Sequence, residues 1–451
     1  MHIQNKFSGL LRYNQKVFRV ANLIQEFDEV RPFKQTNDAQ TMFGIYSGLV
    51  SGKTSLNALA THADCSRSIL EDFLNLRGLA SRLRKFIKSM LKRMKRGKMI
   101  DLQHVQGKYL ASVDGVETFR RNYRPEDFYA AVRAGQIDVH CQVAVHENAK
   151  TGLVEGYEVY HRIVIVCMIT ERGPFPIAWG YQQSTAGLVY KLWLESGAPT
   201  EKAHPRKSEG KEKAKQEGEL TVFKQLLLEI KAGNGGKLPF DIIVGDGLYD
   251  KAPVLEAVEK SGAVLIAVQK DARRIVRSEA EEDFNTRPPS RTWEEVKRHF
   301  EGWSGTYQDE HLLRGDKNIK IVRVKRRNRD GYVIDNYFYC SAKSWITPRL
   351  VEWCRHYRWK EENGFNAWTN QWHLLKHVFH HTAAACDAML GLIFMAIIGA
   401  VNYRFGNLRR RTKKKHQTFK EFIHAIACGY TELKKKLSNH LKDFLKLISS
   451  A

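Results

Sequence analysis

The sequence is poor in cysteine and short of acidic residues. Its seven cysteines, at positions 65, 141, 167, 340, 354, 386 and 428 of 451 residues, are odd in number and never spaced as CxxC. That argues against a disulfide framework and against a cysteine-held zinc, and suits a reduced, cytoplasmic setting. Asp and Glu number 49 against 73 Lys and Arg, a net charge of +24. A field of that sign favours a polyanionic partner, nucleic acid or an anionic membrane surface. The first residues, MHIQNKFSGLLRYNQK, lack the apolar core of a leader peptide. A long apolar run occurs at 383–401, but it carries Asp387 and passes into Asn402, Tyr403 and Arg404, which reads as a buried core helix and not a membrane span. With no membrane segment expected, the basic charge points to nucleic acid. A hydrophobic share of 43% and a charged share of 27% describe a globular chain, long enough for several domains.

What is present is organised around Lys108-Tyr-Leu-Ala-Ser-Val-Asp114-Gly115, an apolar strand that ends on a carboxylate and a glycine. Ahead of it, residues 1–104 read as a helical DNA-binding domain. Within 55–76, Leu56, Leu59 and Ala60 line one helix, Ala63-Asp64-Cys65 turns, Ser66 caps a second helix, and Ile69, Leu70 and Phe73 bury it. As a helix-turn-helix this would aim Arg67 and Ser68 at a major groove; as an ordinary helical hairpin it would not. Residues 82–98 hold nine Lys or Arg, among them Arg82, Lys85, Lys88 and Lys92, with apolar residues at helical spacing between them. The expectation is a helix that contacts phosphates.

Beyond Asp114 a loop and short helix are expected over 116–135. Strand-like runs follow at 138–146, 157–169 and 174–182, then a charged linker at 201–218 and an amphipathic helix at 219–231. A strand ends at Asp246 in IIVGDGLYD, a helix covers 251–261, and 263–268 is the next strand. Antiparallel strands followed by a strand–helix–strand unit give the order of a ribonuclease-H-like mixed sheet, α/β in class. Residues 270–345 interrupt it as an inserted β-rich subdomain, with Arg326 and Arg327 on a basic hairpin and Trp303, near Trp293 and Tyr307, available to stack on a base.

The segment 347–373 supplies Arg358, Glu361, Glu362 and Asn363 among many aromatics (Trp353, Tyr357, Trp359, Phe365, Trp368, Trp372), which implies a largely buried helix whose carboxylate needs a cation. Here the chain resembles the DDE transposases of prokaryotic insertion sequences, in the branch with a β insertion before the glutamate. SVDGVETF is similar to the first-aspartate strand, IIVGDGLYDKAPVL to the second, and YRWKEENGFN to the Arg-Trp…Glu-Asn segment. The resemblance covers about residues 105–405. It implies Asp114, Asp246 and Glu362 as catalytic metal ligands, Arg358 as the accompanying basic residue and Tyr249 as a DNA contact. Glu361, standing where relatives have an aliphatic residue, is the alternative third acid. Relatives often carry a lysine two turns on; Thr369 stands there instead, with Lys376 further along.

Carboxylates are hard oxygen ligands suited to Mg2+ or Mn2+, and two such ions about 4 Å apart serve phosphodiester cleavage and strand transfer. The implied function is a DNA transposase that binds its element's ends, cleaves, and joins 3′ ends to target DNA, as a homodimer at synapsis. The alternatives are a metal-dependent nuclease without joining and a non-catalytic DNA-binding protein. Catalytic-core segments at 105–269 and 346–405 would flank the insertion. His373, His377, His380 and His381 read as a structural or DNA-facing histidine face more than a zinc site. Residues 406–451 would form a basic helical tail containing RRRTKKKH at 409–416.

Overall fold

The computed structural model describes residues 6–26, 38–96, 105–170, 173–197, 218–271, 274–295, 298–328, 331, 333–375, 382–404 and 419–434. Six helices come first: α1 (Lys6–Phe18), α2 (Val20–Gln25), α3 (Asp38–Val50), α4 (Leu56–His62), α5 (Arg67–Leu74) and α6 (Leu79–Arg96). Next are β1 (Leu110–Tyr123), α7 (Pro125–Arg133), β2 (Cys141–Glu147), β3 (Val154–Thr170), β4 (Gly173–Tyr181) and α8 (Ala186–Glu195). The chain continues through α9 (Glu219–Ala232), β5 (Ile242–Gly245), α10 (Ala252–Ser261), β6 (Val264–Val268) and α11 (Ile275–Thr286). Strands β7 (Arg291–Glu295), β8 (Arg298–Gln308), β9 (Asn318–Arg327) and β10 (Val333–Ser341) come after it. Helix α12 (Pro348–Asn366), a π-helical turn, α13 (Ala383–Asn402) and α14 (Phe419–Lys434) complete the described chain.

Strand β3 is long enough to carry two partners, β2 on its first half and β4 on its second. Its other edge pairs antiparallel with β1, which pairs parallel with β5, and β5 pairs parallel with β6. The spatial order β4-β3-β1-β5-β6 is that of a ribonuclease-H-like sheet. Central strands such as IIVG and VLIAV are buried on both faces, as parallel strands covered by helices must be.

Three expectations change. Gly115 does not end β1, which runs on to Tyr123 through an irregularity between Thr118 and Arg121. The insertion is not a separate β body: β10 pairs antiparallel with β6, so β7–β10 prolong the core sheet to ten strands. That pairing removes the open edge β6 would otherwise present. The first hundred residues also share one hydrophobic core with the end of the chain, from Phe7 and Leu10 to Phe394 and Ile426.

The apolar helix α13 is the axis of that shared core, as its composition leads one to expect. Its 20 residues are long and apolar enough to cross a membrane, yet 89% of its most apolar window is buried inside the molecule. Gly391 lets Leu83 of α6 approach, and Gly399 lies against Asn14 and Tyr46. Its one carboxylate, Asp387, accepts from Arg84 Nη2 at 2.6 Å and from Trp179 Nε1 at 2.6 Å, while Arg84 Nη1 donates to Trp179 O at 2.8 Å. This joins the N-terminal helices, β4 and α13 at one polar point. Asp387→Ala leaves a half-buried guanidinium and an indole N–H without their acceptor, an expected loss of about 2 kcal/mol. A calorimetric melt of the variant beside the wild type checks it; an unchanged melting temperature contradicts it.

Candidate active site

The β1–β5 ladder is three rungs long, Leu110↔Ile242, Ala111↔Ile243 and Ser112↔Val244. Asp114 and Asp246 each stand two residues past the last rung. Side chains alternate faces with period two, so the two aspartates fall side by side on the face that Ser112 and Val244 share. Asp246 sits in the turn after β5, where Leu248 N donates to its Oδ1 at 2.9 Å. Gly115 N donates to Asp114 Oδ1, also at 2.9 Å.

Helix α12 begins with Thr347 capping Leu350 N and Pro348 in its first turn. It crosses the sheet on that face. Glu361 is 0% exposed and lies beside Asp114, with the Ser112 hydroxyl and the Cys167 thiol facing its carboxyl group. Glu362, one residue on, turns outward: its side chain is 44% exposed and pairs with Arg358. Arg358 is one turn earlier and faces both Asp114 and Glu361.

Two further side chains, outside the expected set, also reach the site. Glu219 opens α9 and accepts from Tyr249 Oη at 2.5 Å. The exposed Lys270 brings its Nζ to 3.6 Å from Asp246. The sequence signal for Glu219 was its place in EGELTVF at the start of an amphipathic helix; nothing local announced that the helix would point at Asp114.

The electrostatics follow from this crowding. Burial pushes the Asp114 carboxyl up to about 6, with Arg358 opposing and Asp246 and Glu219 reinforcing. Burial, then Asp114, raises Glu361 well above the carboxylate range. Burial raises Glu219 as well, opposed by the Tyr249 hydroxyl. Among the described residues no three His, Cys, Asp or Glu side chains converge closely enough to chelate one ion. The donor set nevertheless fits hard divalent cations. A wholly buried carboxyl group next to Asp114 is a costly arrangement that such a cation relieves.

The residues expected on DNA divide. Arg67 and Ser68 are exposed at the start of α5, with Ser66 accepting from Ile69 N at 3.3 Å, though Arg67 pairs with Glu71 at 2.7 Å. Arg82, Lys85 and Lys92 lie on the exposed face of α6, whereas Lys88 reaches the end of α9 at Gly233. Arg326 and Arg327 end β9, with Arg327 exposed. Tyr249 is not a surface contact: it is 0% exposed and its hydroxyl holds Glu219. Trp303 is 6% exposed and donates to Arg287 O at 3.1 Å, so its faces are closed to a base. Trp293 stacks on Phe300, and the Tyr307 hydroxyl binds Asp283. Conversely Trp359, expected to help bury α12, is 58% exposed beside Arg358. Lys376, His377, His380, His381 and the 409–416 run lie outside the described residues.

Residues 211–398 match the family model described as Transposase DDE domain. This segment, which holds Asp246, Glu361 and Glu362, is similar to that transposase domain family. The chain is also similar to a solved structure, the cryo-EM structure of piggyBac transposase synaptic complex with hairpin DNA. The identity is 12%, with a TM-score of 0.42 over 98% of this chain and 85% of that one, a likeness too distant to assign a role to any residue. No protein of curated function matches.

The raised Asp114 makes a signed prediction. A carboxylate whose folded pKa lies above its unfolded value adds stability below the unfolded value, and that stability is lost as pH rises through the folded one, here about 6. Asp114→Asn therefore raises the melting temperature of metal-free protein at pH 7.5, on the order of 2 kcal/mol, with the difference vanishing toward pH 4. Melting curves of both proteins across that range, in chelator, read it out. A variant less stable at pH 7.5 contradicts the burial argument.

Proposed function

We propose that the protein cleaves the ends of a DNA element and joins them to target DNA, with Asp114, Asp246 and Glu361 as the acids that hold two Mg2+ or Mn2+ ions. The observation that carries the reading is the pair of aspartates beyond the β1–β5 ladder with the wholly buried carboxyl group of Glu361 next to Asp114. Helical geometry supports Glu361 over Glu362. Neighbouring helix positions differ by about 100°, so the two glutamates cannot both face the sheet. The outward one already has Arg358.

When bound, the ions supply charge stabilisation at phosphorus and a more acidic attacking hydroxyl. The chain's own residues hold and aim. Arg358, beside both Asp114 and Glu361, offers a guanidinium to a phosphate oxygen. Lys270 adds a second cation at the Asp246 side. Trp359 presents an open aromatic face for a base next to the reacting strand. In the first step a water oxygen bonds to phosphorus and the 3′ oxygen leaves with a proton. In the second, that 3′-hydroxyl attacks a target phosphorus and a target 3′-hydroxyl departs. Both phosphoryl transfers share one site. Arg67, Ser68 and the exposed face of α6 are the proposed duplex contacts, and two copies on two ends make the working unit a dimer.

With a labelled duplex of the element's end, a target plasmid and Mg2+, the wild type nicks and joins. Asp114→Ala, Asp246→Ala and Glu361→Ala lose both activities by at least about 100-fold, as expected for groups that act as a unit. Glu362→Ala keeps most of them. Loss in Glu362→Ala with retention in Glu361→Ala would reverse the assignment. Nicking without joining would leave a nuclease, and tight binding without cleavage a DNA-binding protein.

A further inference from the structure

Helix α6 runs along the core sheet, and its contacts mark two levels of it. Near its start, Arg84 Nη1 donates to Trp179 O at 2.8 Å. Trp179 pairs with Ile165 and Ile165 with Asp114, so this end lies at the level of the aspartates. Near its end, Lys95 Nζ donates to Pro239 O at 2.6 Å and lies 4.0 Å from the centroid of the Tyr109 ring, just ahead of the first rung of the β1–β5 ladder. From Arg84 to Lys95 the helix rises about 16 Å. Arg82, Lys85, Lys92 and Arg96 are exposed and fall on one face of it. That stripe of cations therefore descends from the level of the site to the opposite end of the central strands.

A second basic group meets the stripe there. Helix α1 packs on α6 and exposes Arg12 and Lys16, with Arg19 exposed just beyond it. Burial, then the charges of Arg19 and Arg96, pushes the half-buried Arg93 guanidinium down from its ordinary range. Among the described residues no carboxylate forms an ion pair with Arg19, Arg93 or Arg96. Arg19 is also held at φ 56° and ψ 45°, a left-handed conformation that favours glycine or asparagine. Three cations are thus gathered against their own repulsion, one of them on a strained backbone.

We infer that Arg19, Arg93 and Arg96 form a second anchor for duplex DNA, gripping backbone phosphates about five base pairs along α6 from the phosphate that is cut. The inference rests on the proposed function and adds to it a contact remote from the reacting centre. A helical ridge of cations whose exposed residues include no aromatic suits the regular phosphates of a duplex and not the stacked bases of a single strand.

The test is the binding of the whole protein, in chelator, to a fluorescent duplex of arbitrary sequence, read by anisotropy across a range of potassium chloride concentration. Wild type, Arg19→Asn, Arg93→Gln/Arg96→Gln and Arg82→Gln/Lys85→Gln are compared, with melting curves of each. Asparagine tolerates the left-handed conformation and removes a repelling charge, so Arg19→Asn should melt no lower than the wild type. It should nevertheless bind several-fold more weakly, with a log affinity–log salt slope shallower by about one, and Arg93→Gln/Arg96→Gln should lose about two. Wild-type slopes in both of these, beside a shallower slope in Arg82→Gln/Lys85→Gln, overturn the second anchor and leave the proposed function standing. A wild type that binds no duplex overturns both.

Discussion

The short parallel pairing of Leu110–Ser112 with Ile242–Val244 is the constraint on which the site depends. Three rungs align two strands that are more than a hundred residues apart in sequence. Because the pleat repeats every two residues, a slip of one would turn one aspartate away from the other. The ladder then stops, and the chain beyond it diverges. That divergence opens a gap where two carboxylates can stand near each other with helices α9 and α12 arriving from either side. The strands are buried on both faces, so the register is held by packing well beyond its few hydrogen bonds.

The surrounding molecule works against electrostatics at this one place. Asp114 and Glu361 are gathered in a poorly solvated pocket, with Asp246 and Glu219 close by. The basic residues near them are Arg358, Lys270 and, on the Glu219 side, Arg162. A chain whose net charge is strongly positive thus gathers several carboxyl groups at its centre. The surplus of lysine and arginine lies elsewhere, including the exposed face of α6. This division suits a protein that attracts a polyanion over a broad surface and directs cations to a small one.

Much of this was legible in the sequence. The strands leading to Asp114 and Asp246, the helix capped by Ser66, and the buried character of the 383–401 run follow from local pattern. What was not legible depended on long-range approach. Gly115 reads locally as a terminator, but β1 runs on past it, and a side chain there would meet Glu219 from a helix about a hundred residues later. Tyr249 and Trp303 read as aromatics available to DNA, but tertiary packing closed both and left Trp359 open. The sequence favoured Glu362 over Glu361, but adjacent acids on a helix differ in the face they present, and it is Glu361 that is buried. The insertion read as a separate body because strand pattern says nothing of which edge a strand will join.

The central claim is that Asp114, Asp246 and Glu361 share bound metal. Anomalous X-ray diffraction from crystals grown with Mn2+ tests it most directly, because it locates the ions without reference to activity. Anomalous peaks are expected beyond the end of the β1–β5 ladder, with carboxylate oxygens of Asp114, Asp246 and Glu361 as ligands and Glu362 still directed at Arg358. Peaks ligated by Glu362 with Glu361 remaining buried, or Mn2+ bound away from both aspartates, would contradict it.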